Sequence, residues 1–171
     1  MRKKLIFKRI TLIGGGWIGA GFAIRAAKRS CIVMTPEFEE MAKTALEARL
    51  QQAVDKGKMS SIKRHVILER IFWNTDWKMA CDEFRPDILI DATTEDRLVK
   101  TKALQNADAH LLKEVPRVTV TSALDGEAIG FDAGEHPMSP VEINKGLELV
   151  IYKKTSPALI EKLRQFSVEL G

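Results

Sequence analysis

Three glycines, Gly14, Gly16 and Gly19, stand at the spacing G-x-G-x-x-G inside the stretch LIGGGWIGAGFAIRAA. Residues without side chains expose bare amides, and bare amides can grip two linked phosphates. Gly14 permits a tight turn, Gly16 lets the main chain approach a pyrophosphate, and Gly19 lets a helix pack close to a strand. A helix opening here adds N–H groups and the positive end of its dipole. Trp17 and Ile18, at that opening, are therefore expected to share the binding of a dinucleotide with the glycines. A tight turn with no ligand is the plainer reading of the loop, and an S-adenosylmethionine enzyme is a third. The apolar run before the glycines and the helical pattern after them favour the dinucleotide.

A dinucleotide also needs a group for its ribose, usually an acid about 20 residues on, at the end of the second strand. Thr35 holds that place here. Glu37 is close but falls in the first turn of a helix, where acids are favoured anyway. No arginine stands beside Thr35 to hold a 2′-phosphate, so NAD is expected ahead of NADP. Histidine is the side chain that titrates nearest neutrality, and a carboxylate on its far nitrogen can fix its tautomer. His136 and Glu148 offer such a pair. Spacing alone leaves His136 as a loop residue beside Pro137, and Glu148 as a solvent-facing position between Leu147 and Leu149. Ser122 could orient a carbonyl oxygen or bond the backbone at a strand end. Asp96 and Lys100 need only a solvated helix face; surface pairing does not explain Glu95 and Lys100, five residues apart, although Glu95 also fits the acidic first turn of a helix. His65 and His110 read as surface residues without partners, and Trp17, Trp73 and Trp77 as packing. No acids or histidines stand at metal-ligand spacing, so no metal is expected.

These groups need a scaffold. RITLI (9–13), SCIVMT (30–35), DILIDAT (87–93), RVTVTSA (117–123) and LELVIY (147–152) read as strands. Helical patterns cover Trp17 to Lys28, about 35–56, 61–70, 95–112 and 157–170. Thr35 and Pro36 form a helix start, with Thr35 as cap. The helix of 35–56 is long for a crossover and, with 61–70, predicts a hairpin projecting from the sheet. The stretch 125–140 reads as loop. Strands alternating with helices imply an α/β, doubly wound, mainly parallel sheet.

The chain has 171 residues, 45% apolar and 29% charged, which suits a single domain over 1–171. Its net charge of +4 is mild and partly confined to MRKKLIFKR, so nucleic acid is not an expected partner. No stretch of about 18 apolar residues exists, so no membrane span is expected. MRKKLIFKR lacks the apolar core of a secretory signal, and the cytosol is the expected compartment. Cys31 and Cys81 match no redox or metal spacing and read as small hydrophobes.

Five motifs, in order, resemble the N-terminal domain of the 3-hydroxyacyl-CoA dehydrogenase family, in particular its carnitine dehydrogenase and lambda-crystallin branch. They are TLIGGGWIGAGFA, DILIDATTEDRLVK, TVTSAL, EHPMSPVEINKGLELV and KTSPALIEKLRQFSVELG. The resemblance implies a Rossmann fold, NAD, and interconversion of a 3-hydroxy acid or 3-hydroxyacyl-CoA with its 3-keto form, within fatty acid metabolism. It implies His136 as the catalytic histidine and Glu148 as its partner. It brings Glu95, Lys100 and Ser122 to the nicotinamide end of the cofactor. Ser139 stands where the family's HPFNP has asparagine, and Thr35 where it has aspartate. The helical second domain of the family is expected to be absent, leaving an apolar face for a docked domain or a second copy. A non-catalytic dinucleotide-binding module or fragment is the alternative expectation.

Overall fold

Near-continuous apolar runs build the middle of the sheet, as expected for strands covered on both faces. The computed structural model describes residues 5–35, 39–137 and 146–170. Its strands are β1 (Arg9–Ile13), β2 (Cys31–Thr35), β3 (Ile71–Trp73), β4 (Ile88–Asp91), β5 (Arg117–Val120), β6 (Ala133–Pro137) and β7 (Leu147–Val150). They lie in the order β3-β2-β1-β4-β5-β6-β7. The first six are parallel, and β7 closes the edge antiparallel to β6.

Helices α1 (Trp17–Ala26), α2 (Glu39–Asp55), α3 (Ser61–Leu68) and α6 (Pro157–Leu170) share one layer. Phe22, Leu46, Leu50, Ile67, Leu163 and Phe166 bury there against Ile10, Leu12, Ile32 and Ile88. The opposite face of the sheet is covered by α4 (Arg97–Asp108), through Ala103, Leu104 and Ala107, and by a π-helical turn at Met79–Glu83. A short helix, α5 (Gly126–Ile129), follows β5. The crossovers change direction between β1 and β4, the switch point where α/β sheets open a crevice. This is the expected doubly wound sheet, with the α2–α3 hairpin rooted on α1.

Two local expectations are corrected, and one strand was unforeseen. The stretch read as loop holds α5 and all of β6. Its strand character comes from pairing with β5 and β7 rather than from its own composition. The three-residue β3 was too short to show a pattern, and His65 has a surface partner in Glu69, at 3.2 Å. Pro36, Glu37 and Phe38, at the expected helix start, lie outside the described residues. Burial pushes the Cys81 thiol up to about 12, in keeping with a small hydrophobe. Among the described residues no group of three or more His, Cys, Asp or Glu could hold a metal, and no helix is long and apolar enough to cross a membrane.

Candidate active site

The turn from β1 into α1 is tight because the backbone demands it. Gly14 has φ +95°, and a Cβ there would come within 2.5 Å of the Ala92 carbonyl oxygen. A Cβ on Gly19 would meet the Gly14 carbonyl oxygen at 2.3 Å. Gly16 differs: a Cβ there would meet nothing within 4 Å. Packing does not ask for glycine at that position, which borders an open cleft. Gly16 also caps α1 without a side-chain hydrogen bond. A group with phosphate oxygens fits this cradle.

The cleft, of roughly 1470 Å³, runs along the carboxyl ends of the strands. Gly14, Gly16, Trp17, Ile18, Thr35, Glu95, Ser122 and His136 all line it. Thr35 ends β2 and is 6% exposed, and its Oγ1 has no hydrogen-bond partner. A buried hydroxyl facing a cleft without a partner suits a ligand hydroxyl. Replacing Thr35 with aspartate is expected to tighten NAD about ten-fold and leave NADP weaker, because a carboxylate accepts from both ribose hydroxyls and repels a 2′-phosphate. Calorimetric titration with each cofactor checks this; equal gains for both would exclude it.

Glu95 lies near the end of the loop between β4 and α4 and reaches across to the end of β5. Its Oε1 accepts from Thr121 Oγ1 (2.6 Å) and from the amides of Ser122 and Ala123 (both 2.9 Å). Partial burial alone would raise its pKa. The Thr121 hydroxyl, the Ala123 and Ser122 amides and the nearby Lys100 charge outweigh that and hold the carboxyl below its usual value. Ser122 is thereby fixed, exposed on the cleft floor.

Lys100 departs from both expectations. It is not on a solvated face, and its ammonium does not line the cleft. The side chain is wholly buried, with Nζ 2.8 Å from Asp91 Oδ2 and donating to the Val120 carbonyl at 2.9 Å. Asp91 also accepts from Thr119 Oγ1 (2.7 Å) and Thr93 Oγ1 (2.6 Å). Asp96, its supposed partner, instead caps α4 by accepting from the Val99 amide. Sequence reasoning missed Asp91, whose only signal was an acid ending an apolar strand. The pair ties β4 to β5 beneath the loops that carry Glu95 and Ser122. Lys100→Met is expected to cost about 3–4 kcal/mol, because Asp91 keeps its charge and loses its cation. Asp91→Asn added to it should restore most of that loss in a urea melt. An additive further loss would show that the two do not act as a pair.

His136 lies in β6, not on a loop. The antiparallel register sets it directly opposite Glu148 in β7, with Nδ1 3.3 Å from Glu148 Oε2. A carboxylate accepts, so Nδ1 donates in this pair, and in a neutral imidazole so held Nε2 is the acceptor. The two side chains are 51% and 64% exposed. Trp17 is not packed in the core: it is 62% exposed, with the Arg49 guanidinium 3.8 Å from its ring centroid. Ser139 lies outside the described residues.

A family model described as "3-hydroxyacyl-CoA dehydrogenase, NAD binding domain" matches residues 9–171. The chain belongs to this family. Relatives include the human mitochondrial hydroxyacyl-coenzyme A dehydrogenase, 28% identical over 185 residues. That match covers 99% of this chain and 58% of the relative, so the chain spans a little over half of its length. The 3-hydroxybutyryl-CoA dehydrogenase of Escherichia coli superposes with a TM-score of 0.84 at 25% identity, over 96% of this chain and 37% of that one. The (S)-3-hydroxybutyryl-CoA dehydrogenase of Ralstonia eutropha shares the fold, with a TM-score of 0.87 at 23% identity, over 96% and 61%.

Proposed function

We propose that this chain is the cofactor-binding, proton-handling part of an NAD-dependent dehydrogenase that interconverts a 3-hydroxyacyl-CoA, or a smaller 3-hydroxy acid, with its 3-keto form. One observation carries the reading: His136 stands paired to Glu148 on the same cleft that begins at the open glycine cradle. When bound, NAD supplies the hydride acceptor. The chain's own residues supply the rest. Gly14, Gly16 and the start of α1 would hold the phosphates, and Thr35 the ribose. His136 Nε2 takes the proton of the substrate hydroxyl, and Glu148 stabilises the imidazolium that results. In the reverse direction the imidazolium returns the proton to the developing alkoxide. Ser122 and Glu95 border the floor where the carbonyl forms.

The exposure of His136 and Glu148 leaves the pair open to water, and protein beyond these 171 residues, a docked domain or a second copy, completes the pocket. The same exposure favours a second reading, a dinucleotide-binding module without turnover of its own. Absorbance at 340 nm separates the two, with NAD and a panel of 3-hydroxyacyl-CoA thioesters and free 3-hydroxy acids. Formation of NADH supports a dehydrogenase, and the panel decides between thioester and free acid. NAD binding without NADH, even with the remainder of a relative added in trans, supports the module.

A further inference from the structure

Three separate pieces of chain carry the polar groups at the β5–β6 end of the cleft. The loop before α4 brings Glu95, the turn after β5 brings Ser122, and β6 brings His136. Thr121, the first residue beyond β5, bonds to all three. Its Oγ1 donates to Glu95 Oε1 at 2.6 Å. The same oxygen accepts from the Leu124 amide at 3.0 Å, which closes the turn that holds Ser122. The Thr121 amide donates to the Glu135 carbonyl at 3.2 Å, one residue before His136. That bond carries the β5–β6 ladder one step past Val120, whose carbonyl accepts from Lys100 Nζ at 2.9 Å. Thr121 borders the cleft but is only 6% exposed.

A hydroxyl has one proton to give. Thr121 gives its own to Glu95, so none is left for a substrate oxygen. The Ser122 hydroxyl, next along the chain, has no hydrogen bond among the described residues. The two neighbours therefore divide the work, one facing the protein and one the cleft. Resting on the dehydrogenase reading above, we propose that Thr121 is a positioning residue: its hydroxyl clasps Glu95 to the 121–124 turn and so holds Ser122 in register with the strand of His136. Glu95 Oε1 takes three donors from this one turn, the Thr121 hydroxyl and the Ser122 and Ala123 amides. Without the hydroxyl only the two amides remain on the carboxylate, and the Leu124 amide loses its acceptor. The turn is then free to shift against β6, and groups that must meet one substrate oxygen fall out of step.

Thr121→Val removes the hydroxyl and keeps the branched shape; Thr121→Ser keeps the hydroxyl. With NAD and a 3-hydroxyacyl-CoA thioester, the valine variant is expected to lose kcat about 10–100-fold and to keep NAD affinity within about two-fold, because the glycine cradle and Thr35 are untouched. The serine variant should recover kcat to within about two-fold of the parent. Carbon-13 NMR of the Glu95 carboxyl gives a readout without turnover. Its titration midpoint should rise in the valine variant, which has lost a bond to the charged form, and stay at the parent value in the serine variant. Circular dichroism checks that both fold. A midpoint unmoved by valine, or a serine variant as slow as the valine one, overturns the proposal. So does a valine variant with the parent kcat. No NADH from the parent chain, with the Glu95 midpoint still raised by valine alone, counts against the dehydrogenase reading and for the clasp.

Discussion

Glu135→Gln is expected to make the domain more stable at neutral pH and to flatten its stability between pH 5 and 8. Glu135 is fully buried in β6, neither carboxyl oxygen has a hydrogen-bond partner, and burial pushes its pKa up to about 8 from 4.5. The unfolded chain ionises this group near 4.5; the folded chain keeps it neutral until about 8. Folding between those values must therefore take up a proton. Stability is unaffected below about pH 4.5, falls as pH rises through the window, and levels off above about pH 8. The slope is about 1.4 kcal/mol per pH unit, and the whole penalty is at most about 5 kcal/mol. Glutamine has nearly the same volume and does not ionise, so it removes the slope while keeping an unpartnered polar group. Glu135→Leu removes that group as well and should add about 1–3 kcal/mol more. Urea melts of the three proteins from pH 5 to 8 decide the matter. A parent curve parallel to that of the glutamine variant would mean that Glu135 does not titrate in this window.

Glu135 also shows where sequence reasoning stopped. FDAGEHP carries a glycine, a proline and three ionisable residues in seven positions, which locally argues against a strand. Two neighbours override that local preference. The Glu135 carbonyl accepts from the Thr121 amide, and the Tyr152 hydroxyl lies where a Cβ on Gly134 would be, only 2.7 Å away. Such information is tertiary and leaves no periodic trace. Lys100 is a second case. Its sequence neighbour Asp96 sits at helical pairing distance, yet helix capping claims Asp96, and the true partner Asp91 lies nine residues away at a strand end. By contrast, the glycine turn and the central strands were legible, because their causes are local: positive φ, close approach, and runs buried on both faces. The His136–Glu148 contact falls between these cases. The resemblance to a family implied the pair, but only the β6–β7 register explains it, since twelve residues of chain can end anywhere.

His136→Ala is expected to lower kcat about 10²–10⁴-fold while leaving NAD affinity within about two-fold, if the proposed dehydrogenase reading holds. The split follows from the geometry. His136 borders the cleft at β6, away from the Gly14–Gly16 cradle and from Thr35, so deleting its ring removes a proton acceptor and no phosphate contact. Glu148→Gln tests the second half of the argument. An amide can present its oxygen to Nδ1 and so preserve the tautomer, but it cannot stabilise an imidazolium by charge. Its kcat should therefore fall less than that of the alanine variant at position 136, and the double variant should be no slower than His136→Ala alone, because Glu148 acts only through the ring it holds. Equal multiplicative losses from the two substitutions would show that Glu148 reaches the substrate independently. A His136→Ala protein that transfers hydride at the parent rate would remove histidine from the chemistry altogether.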